Sequence, residues 1–345
     1  MKAITQDTYG SATVLEARDI DMPEVGDGQV LIRVEAAGVN PADWAIMSGL
    51  PYIARPVYGL RRPKAGVRGT DVSGTIEAVG SGVTRFKPGD EVFGSADGSY
   101  AEYAVASEET LAPKPANLSF EGAAAVPMAG QVALQALRGV EPGQKVLITG
   151  ASGGIGTFAV QIAKALGAEV TAVASTRNLD MLRSIGADHV IDYTAEDFTR
   201  GDRRYDLILD NVSNHSLSDL RRVLAPTGIL VPNGGRFDKR WFASGGRLIF
   251  GMVMFRFVSQ TLRTFIQSTK REDLLELKQL IEAGSVTPVI DRTYPLSETA
   301  SAIGHVGDGH ARGKTVISLR APETAARPGA AALAIPATAP IPVAS

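Results

Sequence analysis

The sequence lacks several residue types on which common active sites depend. Its 345 residues include no cysteine, four histidines and only 6% aromatic residues. Without cysteine, the chain can form no disulfide, thiolate nucleophile or cysteine-ligated metal site. The histidines lie at positions 189, 215, 305 and 310, and none has a partner at the spacing of an H-x-x-x-H metal motif. These absences predict a protein that holds no metal.

Long apolar runs and an excess of charge are also missing. No segment reaches the roughly 18–20 uninterrupted apolar residues of a membrane helix, and the N-terminal segment MKAITQDTYG lacks the apolar core of a signal peptide. The formal net charge is −2, so no broad basic surface points to nucleic acid or to an acidic membrane. The sequence therefore predicts a cytoplasmic protein that binds neither nucleic acid nor membrane.

The N-terminal third of the chain has the pattern of a β-rich domain. Short apolar segments alternate with turns that contain Gly, Pro and Asp. Strands are predicted over residues 30–37, 71–79, 91–94 and 100–105. Many short strands joined by such turns favour a barrel or a sandwich.

Residues 47–67 interrupt this pattern. The segment is rich in proline and glycine and carries a basic cluster at Arg61, Arg62 and Lys64. We predict a long surface loop, and loops of this kind often carry function.

A glycine-rich turn organises the second half of the chain. Residues 145–149 form an apolar run typical of a strand buried on both faces, residues 155–166 have helical periodicity, and residues 169–174 form a second apolar run. The turn between the first strand and the helix contains Gly150, Gly153, Gly154 and Gly156. Such a turn directs backbone N–H groups and the positive end of a helix dipole to one point, which predicts a phosphate or pyrophosphate site. A tight turn without a ligand is the alternative.

The flanking segments predict a parallel sheet with helical crossovers. An Ala-rich helical segment over residues 120–140 links it to the β-rich part. Further strands are predicted over residues 189–192, 205–210, 228–232, 287–294 and 314–319, and helices over 179–186, 217–224 and 272–283. Residues 236–266 fit either ordinary core or a subunit contact, or alternatively an apolar lid over a ligand. The Ala/Pro-rich residues 321–345 are predicted to be disordered.

Several colinear motifs resemble the medium-chain dehydrogenase/reductase superfamily, in its zinc-independent, quinone oxidoreductase-like (zeta-crystallin-like) branch. The motifs, in chain order, are AGVNPADW at residues 37–44, GTDVSG at 69–74, GSGV at 80–83, FKPGDEV at 86–92, the glycine turn, SIGAD at 184–188 and RGK at 312–314. The resemblance implies an α/β protein with two domains. A GroES-like β-barrel catalytic domain would span residues 1–122 with a return segment at 268–320, and a Rossmann cofactor domain would span 123–267.

The resemblance also locates where zinc-dependent relatives bind their metal. Those relatives place a cysteine after the Gly-aliphatic pair and a Gly-His-Glu motif further on. This chain has Asn40 at the first position and Gly69-Thr70-Asp71 at the second. The resemblance therefore implies hydride donation by a nicotinamide without a metal, with hydrogen bonds polarising the substrate.

The end of the second strand of the dinucleotide fold indicates which nicotinamide is bound. An acidic residue there would hold the ribose of NAD, whereas an arginine with hydroxyls suits the 2′-phosphate of NADP. The sequence has Ser175, Thr176 and Arg177, and no carboxylate until Asp180, so we predict NADPH. Tyr193 matches a tyrosine that touches the 2′-phosphate in related reductases. An aromatic residue packed on the sheet is the equal alternative for Tyr193.

The complete predicted site combines catalytic and cofactor-binding residues. Asn40 is expected to hydrogen-bond cofactor or substrate, and Tyr52 is the best candidate for a proton donor, although Tyr52 fits a loop-lining role equally well. Asn233-Gly234-Gly235 follows a strand at the sheet edge where ligands bind. The predicted cofactor set is Gly150, Ser152, Gly153, Gly154, Ile155, Ser175, Thr176, Arg177, Tyr193, Asn211, Asn233, Gly234 and Gly235.

One position departs from the family pattern. Relatives usually carry a threonine near the nicotinamide amide, and this chain has Val132 at the aligned position, beside Gln131. Either Gln131 supplies the missing contact or the activity differs.

Three functions remain open at this point. The first is an NADPH-dependent reductase of quinones or α,β-unsaturated carbonyls, which takes a small electrophilic substrate. The second is an enoyl-thioester reductase, in which residues 61–64 would meet a coenzyme A or phosphopantetheine phosphate. The third is a dinucleotide-binding scaffold or sensor without turnover. Pairing of an apolar strand at residues 248–253 with its copy would give a homodimer.

Overall fold

The computed structural model describes residues 1–234, 251–252, 254–265, 268–309 and 311–320. These residues contain a mostly antiparallel seven-stranded sheet, a small two-stranded sheet and a parallel six-stranded sheet. The predicted combination of a β-rich part with a doubly wound α/β part is confirmed. The predictions for Gly235 and for the tail at 321–345 lie outside the described residues.

The front of the molecule is built around the long strand β3, which pairs with β4, β6 and β15. Two strands from the end of the chain, β14 and β15, complete this sheet. The strands are β1 (Lys2–Gln6), β2 (Leu15–Asp19), β3 (Gln29–Val39), β4 (Asp71–Val79), β5 (Glu91–Ser95), β6 (Tyr103–Ser107), β7 (Leu111–Pro113), β14 (Ile290–Pro295) and β15 (Lys314–Ser318). The helices α1 (Pro41–Ser48), α2 (Arg55–Tyr58) and α9 (Thr299–Gly307) lie in this part.

The parallel sheet has the strand order β10-β9-β8-β11-β12-β13 in the described residues. Its strands are β8 (Lys145–Thr149), β9 (Glu169–Ala174), β10 (His189–Asp192), β11 (Tyr205–Asp210), β12 (Leu224–Pro232) and β13 (Thr261–Leu262). The helices here are α3 (Phe120–Ala124), α4 (Pro127–Ala136), α5 (Gly154–Ala165), α6 (Leu179–Ser184), α7 (Leu217–Arg222) and α8 (Arg271–Glu282). Chain order reverses between β8 and β11. The carboxyl ends of these two strands are therefore the expected ligand position.

The predicted strands β4, β8, β9, β10 and β11 have the predicted bounds. The strand expected over residues 100–105 begins instead at Tyr103. The single helix expected over 120–140 is divided into α3 and α4, because Pro127 opens a new helix where its missing N–H costs nothing. The helices α1 and α9 were not predicted.

A strand was predicted over residues 248–253. Of these residues the structure describes Gly251 and Met252, which are helical. That part of the prediction is wrong, since a short apolar run does not distinguish a buried strand from a buried helix. No helix in the described part of the chain is both long and apolar enough to cross a membrane.

Helices on both faces of the parallel sheet bury its apolar strands. Phe158 and Ile162 of α5, Val146 and Ile148 of β8, and Leu277 of α8 share one apolar core. The return segment therefore serves both parts, because α8 packs beside the parallel sheet while β14 and β15 join the front sheet. The predicted domain boundaries at 122 and 267 remain a proposal.

Candidate active site

The glycine turn joins β8 to α5 at the switch point of the sheet. Gly150 has a φ of 59°, a left-handed conformation that favours glycine. A Cβ on Gly156 would lie 2.3 Å from the carbonyl oxygen of Gly150, so only glycine permits this close approach of turn and helix. The helix begins at Gly154, after Gly153. The first N–H groups of α5 have no acceptor within the helix, which leaves them for an anion.

The space in front of Gly153 is open. A Cβ built there would meet only the Gly150 carbonyl oxygen, at 3.5 Å. An open cradle beside a helix N-terminus fits the pyrophosphate of a dinucleotide. Ser152, Gly154 and Ile155 line the same turn and are half-buried.

Asn178 connects this turn to the end of β9. Its side-chain Nδ2 donates to Ser152 Oγ and to Ser175 Oγ, each over 3.1 Å. The residue is buried, and its Oδ1 has no partner within the protein. Asn178 was not predicted as a site residue, although its place just before α6 is the capping position that asparagine favours.

Thr176 and Arg177 follow β9 and are exposed at its carboxyl end. The hydroxyl of Thr176 donates to Oδ2 of Asp192, and the hydroxyl of Thr194 donates to Oδ1 of Asp192 over 2.7 Å. The first of these hydrogen bonds is the largest cause that lowers the pKa of Asp192. Along the chain, no carboxylate follows β9 before Asp180. Strand pairing brings one from β10, because Asp192 lies beside Ala174.

Tyr193 directly follows β10, at the carboxyl end of that strand. Its backbone N–H donates to the carbonyl of Ala174 over 3.1 Å, and its side chain is 55% exposed. The role of Tyr193, at the 2′-phosphate or packed on the sheet, stays a prediction. A cavity of about 300 Å³ adjoins the ring and is lined by Tyr193, Thr194, Ala195, Glu196, Asp197, Asn214 and His215.

The ends of β8, β11 and β12 meet in a polar network. Asn211 Nδ2 donates to the carbonyl of Thr149 over 3.0 Å, and Asn211 Oδ1 accepts from Asn233 Nδ2 over 2.8 Å. A Cβ on Gly234 would lie 2.3 Å from the backbone of Asn211. The structure therefore brings Asn211, Asn233 and Gly234 together at the edge where the glycine turn also lies.

Asn40 lies at the start of α1 and is buried in the front part. Its backbone N–H donates to Asp43 Oδ2 over 2.8 Å, and its Nδ2 donates to Asp71 Oδ2 over 3.0 Å. Its Oδ1 accepts a hydrogen bond from Nζ of Lys314. The amide is thus held between an anion and a cation.

Lys314 and Asp71 form a buried ion pair, with Nζ 3.6 Å from Oδ2 and side-chain exposures of 3% and 0%. Burial lowers the pKa of Lys314 and raises the pKa of Asp71, and each charge opposes the effect on the other. The backbone N–H of Met128 also donates to Asp71 Oδ1, over 3.2 Å. Both residues lie within the family motifs, and no role was predicted for either.

The loop at 47–67 contains a short 3₁₀ turn and the helix α2. The guanidinium of Arg55 lies 4.6 Å from the ring centres of both Tyr9 and Tyr52. Tyr52 is half-buried in this stack. Trp44, also near Asn40 in sequence, packs on α9, where a Cβ on Gly307 would lie 2.2 Å from its ring.

Both polar atoms of the Gln131 side chain form hydrogen bonds within the protein. Its Nε2 donates to the carbonyl of Pro127 over 3.0 Å, and its Oε1 accepts from the backbone N–H of Lys270 over 2.8 Å. The side chain is fully buried in these contacts. These two bonds hold α4 to the segment before α8, and the suggestion that Gln131 supplies the missing contact stays a prediction.

The residues present do not fit a catalytic zinc. The chain has no cysteine, and the described residues contain no cluster of three or more His, Asp or Glu side chains that could hold a metal. The ammonium of Lys314 already neutralises Asp71 beside Asn40. A cation of the protein itself therefore lies beside the Asp71 carboxylate, which together with Asp43 contacts Asn40.

Comparison with known proteins agrees with this geometry. Residues 26–116 match the alcohol dehydrogenase GroES-like domain, and residues 185–317 match the family described as zinc-binding dehydrogenase. The chain is 34% identical to a chloroplastic quinone oxidoreductase of Triphysaria versicolor, over 92% of this chain and 98% of that protein. It is 32% identical to the chloroplastic NADPH-dependent alkenal/one oxidoreductase of Arabidopsis thaliana, over 92% of this chain and 79% of that protein.

A solved structure extends the agreement to three dimensions. The quinone oxidoreductase of Coxiella burnetii superposes with a TM-score of 0.81 at 32% identity, covering 93% of this chain and 99% of that chain. The chain therefore belongs to the medium-chain dehydrogenase/reductase superfamily, in its quinone oxidoreductase-like branch. The family and fold predicted from the sequence are confirmed.

Proposed function

We propose that the protein is an NADPH-dependent reductase that acts on quinones or α,β-unsaturated carbonyls without a metal. One observation carries the proposal. The chain segment at Gly313 and Lys314 contacts both the glycine turn and Asn40, so a dinucleotide bound on the turn would face the front part of the molecule at Asn40. The names of the quinone and alkenal/one oxidoreductases to which the chain is similar support the reaction class.

Separate segments of the chain would bind separate parts of NADPH. The turn from Gly150 to Ile155 would hold the pyrophosphate with backbone N–H groups, and Ser175, Thr176 and Arg177 would hold the 2′-phosphate. Asn211, Asn233 and Gly234 lie on the side of the turn away from β9, toward the nicotinamide half. When bound, NADPH supplies a hydride to an electrophilic carbon. Positioning of two bound molecules is then the main task of the protein.

The proton that completes the reduction has two possible sources. Tyr52 would need to direct its hydroxyl at the substrate, and its ring is held by Arg55 in the loop. Solvent can also protonate a reduced quinone or an enolate. We therefore assign Asn40 to substrate or cofactor hydrogen bonding and keep Tyr52 as a proposed donor. A Tyr52→Phe variant whose kcat stays within about 3-fold of the wild type would assign the proton to solvent.

A panel of acceptors with NADPH tests the proposed reaction. We expect oxidation of NADPH, followed by its absorbance, with quinones and with enones, and no effect of a chelator on the rate. Absence of turnover with every acceptor, while NADPH still binds, would support the scaffold function instead.

The enoyl-thioester alternative rests on the loop. Arg61, Arg62 and Lys64 are exposed there, in the same loop as Tyr52. Three cations can bind a phosphate at the end of a thioester carrier. Adding an enoyl coenzyme A to the panel separates the two, because rates confined to thioesters and abolished in an Arg61→Ala/Arg62→Ala variant would favour this alternative.

We also propose that the protein works as a cytoplasmic homodimer. The support is partly analogy with the family, together with the position of β13 at the edge of the described parallel sheet. Light scattering that gives only a 36.2 kDa species would exclude the dimer. Cell fractionation tests the compartment, since several relatives are named chloroplastic or mitochondrial.

A further inference from the structure

A buried ammonium lies where the front part meets the glycine turn. Lys314 is the first residue of β15 and is 3% exposed. Its Nζ donates to the carbonyl of Val39 over 3.0 Å and to Oδ1 of Asn40, and lies 3.6 Å from Asp71. All the acceptors come from the front sheet and the residue that follows β3.

The residue before Lys314 contacts the glycine turn. The backbone N–H of Gly313 donates to the carbonyl of Ser152 over 2.8 Å, and Gly313 forms a bridge with Gly153. A Cβ on Gly154 would lie 3.0 Å from Cδ of Lys314. Glycine at 154 therefore makes room for the lysine side chain, and Lys314 spans from the phosphate-binding turn to Asn40.

Stability alone does not account for a lysine here. Moving an ammonium out of water costs several kcal/mol, and well-packed apolar residues of similar volume often replace buried ion pairs without loss of stability. The geometry has a different consequence. Lys314 only donates and Asp71 only accepts, so together they allow a single orientation of the Asn40 amide, with Oδ1 toward Lys314. The Nδ2 of Asn40 carries two hydrogens, and one of them is donated in the hydrogen bond to Asp71.

We propose that Lys314 is a positioning residue for the reaction at Asn40. It fixes the orientation of the Asn40 amide and holds that amide in register with the glycine turn that binds the dinucleotide. The inference rests on the proposed function, because it assigns the register to a reaction between NADPH and an acceptor at Asn40.

The test removes both charges, since Lys314→Met alone would leave Asp71 buried and unpaired. In the Lys314→Met/Asp71→Asn protein, the substituted amide can still accept from Met128 and Asn40. We expect kcat at saturating substrates to fall by about 10- to 100-fold, as misplacement of a reacting group by about 1 Å does. NADPH affinity, measured by fluorescence titration, should change by less than about 3-fold, because the turn retains its own N–H groups. The Lys164→Met variant, which breaks the exposed Lys164–Asp188 pair of 2.8 Å, should keep the wild-type kcat.

A double-mutant cycle separates positioning from general damage. If Lys314 acts through Asn40, the two substitutions should lower kcat little further in an Asn40→Ala background. A purely structural role would instead lower the melting temperature while kcat of the folded fraction stays at the wild-type value, and that result would overturn the inference. Equal losses with and without Asn40 would also overturn it.

A crystal structure of the doubly substituted protein provides a readout that needs no turnover. We expect a rotated Asn40 amide and a longer hydrogen bond from Gly313 to Ser152. An unchanged amide and turn would reject the inference even if the wild type turns out to reduce no acceptor. A wild type without activity but with the expected displacement would reject only the proposed function.

Discussion

The hydroxyl of Tyr100 donates a hydrogen bond of 2.9 Å to Oδ2 of Asp43, and both side chains are buried. The backbone N–H of Asn40 donates to the same oxygen. Burial nevertheless raises the pKa of Asp43 from its ordinary value of 3.8 to about 6, against the opposing effects of the Asn40 N–H, Arg68 and Tyr100. Asp43 therefore couples the start of α1, and with it Asn40, to pH.

We expect this coupling to appear in the pH dependence of stability. Because the pKa is higher in the folded state, folding favours the protonated carboxyl. The contribution of Asp43 to the free energy of unfolding is complete below about pH 4. This contribution is lost as the pH rises through about 6. An Asp43→Asn variant keeps an acceptor oxygen and cannot ionise. In urea unfolding, the variant and the wild type should have equal free energies of unfolding near pH 4. Above pH 7 the variant should be more stable, by up to about 3 kcal/mol.

Asp180→Asn is the control, since the Asp180 side chain is 99% exposed. Its difference in stability from the wild type should be the same across the range. An Asp43→Asn protein that is less stable than the wild type above about pH 7 would mean that the ionised carboxylate stabilises the fold, contrary to this prediction.

Asp192 should weaken the preference for NADPH. Its carboxylate is held by Thr176, beside the residues proposed to bind the 2′-phosphate. An Asp192→Asn variant should raise the ratio of kcat/KM for NADPH over NADH by about 3- to 10-fold, because one repulsive charge is removed. Arg177→Gln should lower the ratio by about 10-fold or more, since a charge-assisted hydrogen bond is lost.

Asp188→Asn provides the matched control. Asp188 precedes the same strand at its opposite end, where it pairs with Lys164. Steady-state kinetics should give the wild-type ratio for this variant. Equal effects of Asp192→Asn on both nicotinamides would place the 2′-phosphate elsewhere.

Two glycines of the turn should respond differently to alanine. In Gly153→Ala, the nearest atom to the new Cβ is the Gly150 carbonyl oxygen, at 3.5 Å. We therefore expect a folded protein whose new methyl group lies in the phosphate cradle. NADPH affinity, measured by fluorescence titration, should fall by about 10-fold or more while the melting temperature stays close to the wild type. Normal NADPH binding by this variant would show that the cradle does not hold the pyrophosphate.

Gly156→Ala, unlike Gly153→Ala, should destabilise the fold. Its Cβ would lie 2.3 Å from the backbone of Gly150, which a buried turn cannot accommodate without moving. We expect a loss of about 1–3 kcal/mol in the free energy of unfolding. Gly304→Ala is the control, because nothing lies within 4 Å of its Cβ, and a helical glycine replaced by alanine gains up to about 1 kcal/mol. A Gly156→Ala protein of wild-type stability would contradict the close approach.

Asn178→Ala should impair cofactor binding more than it impairs folding. The substitution removes two hydrogen bonds, to Ser152 and Ser175, and also removes an Oδ1 that has no partner within the protein. We expect KM for NADPH to rise by about 5- to 10-fold with kcat unchanged. Ser216→Ala, which removes the cap of α7, should lower stability by about 1 kcal/mol and leave this KM unchanged. The opposite pattern would make Asn178 a purely structural residue.

Much of the fold could be predicted because its signals are local. The apolar runs at β8 and β9 and the glycines between them determine a strand, a turn and a helix through periodicity and backbone conformation. The motif at residues 37–44 and the absence of cysteine pointed to the quinone oxidoreductase-like branch of the family in the same way. The helix α1 was missed because it begins at Pro41 within that motif, where few residues show periodicity.

The contacts across strands depended on the tertiary structure. Asp192 reaches Thr176 only because β10 pairs with β9, and Lys314 reaches Asn40 only because β15 returns to pair with β3. The sequence by itself determined the family, the strand, glycine turn and helix of the parallel sheet, and the absence of cysteine ligands. The tertiary structure decided which charges lie beside which groups, because ion pairs and hydrogen bonds between distant residues depend on strand register and leave no local pattern in the chain.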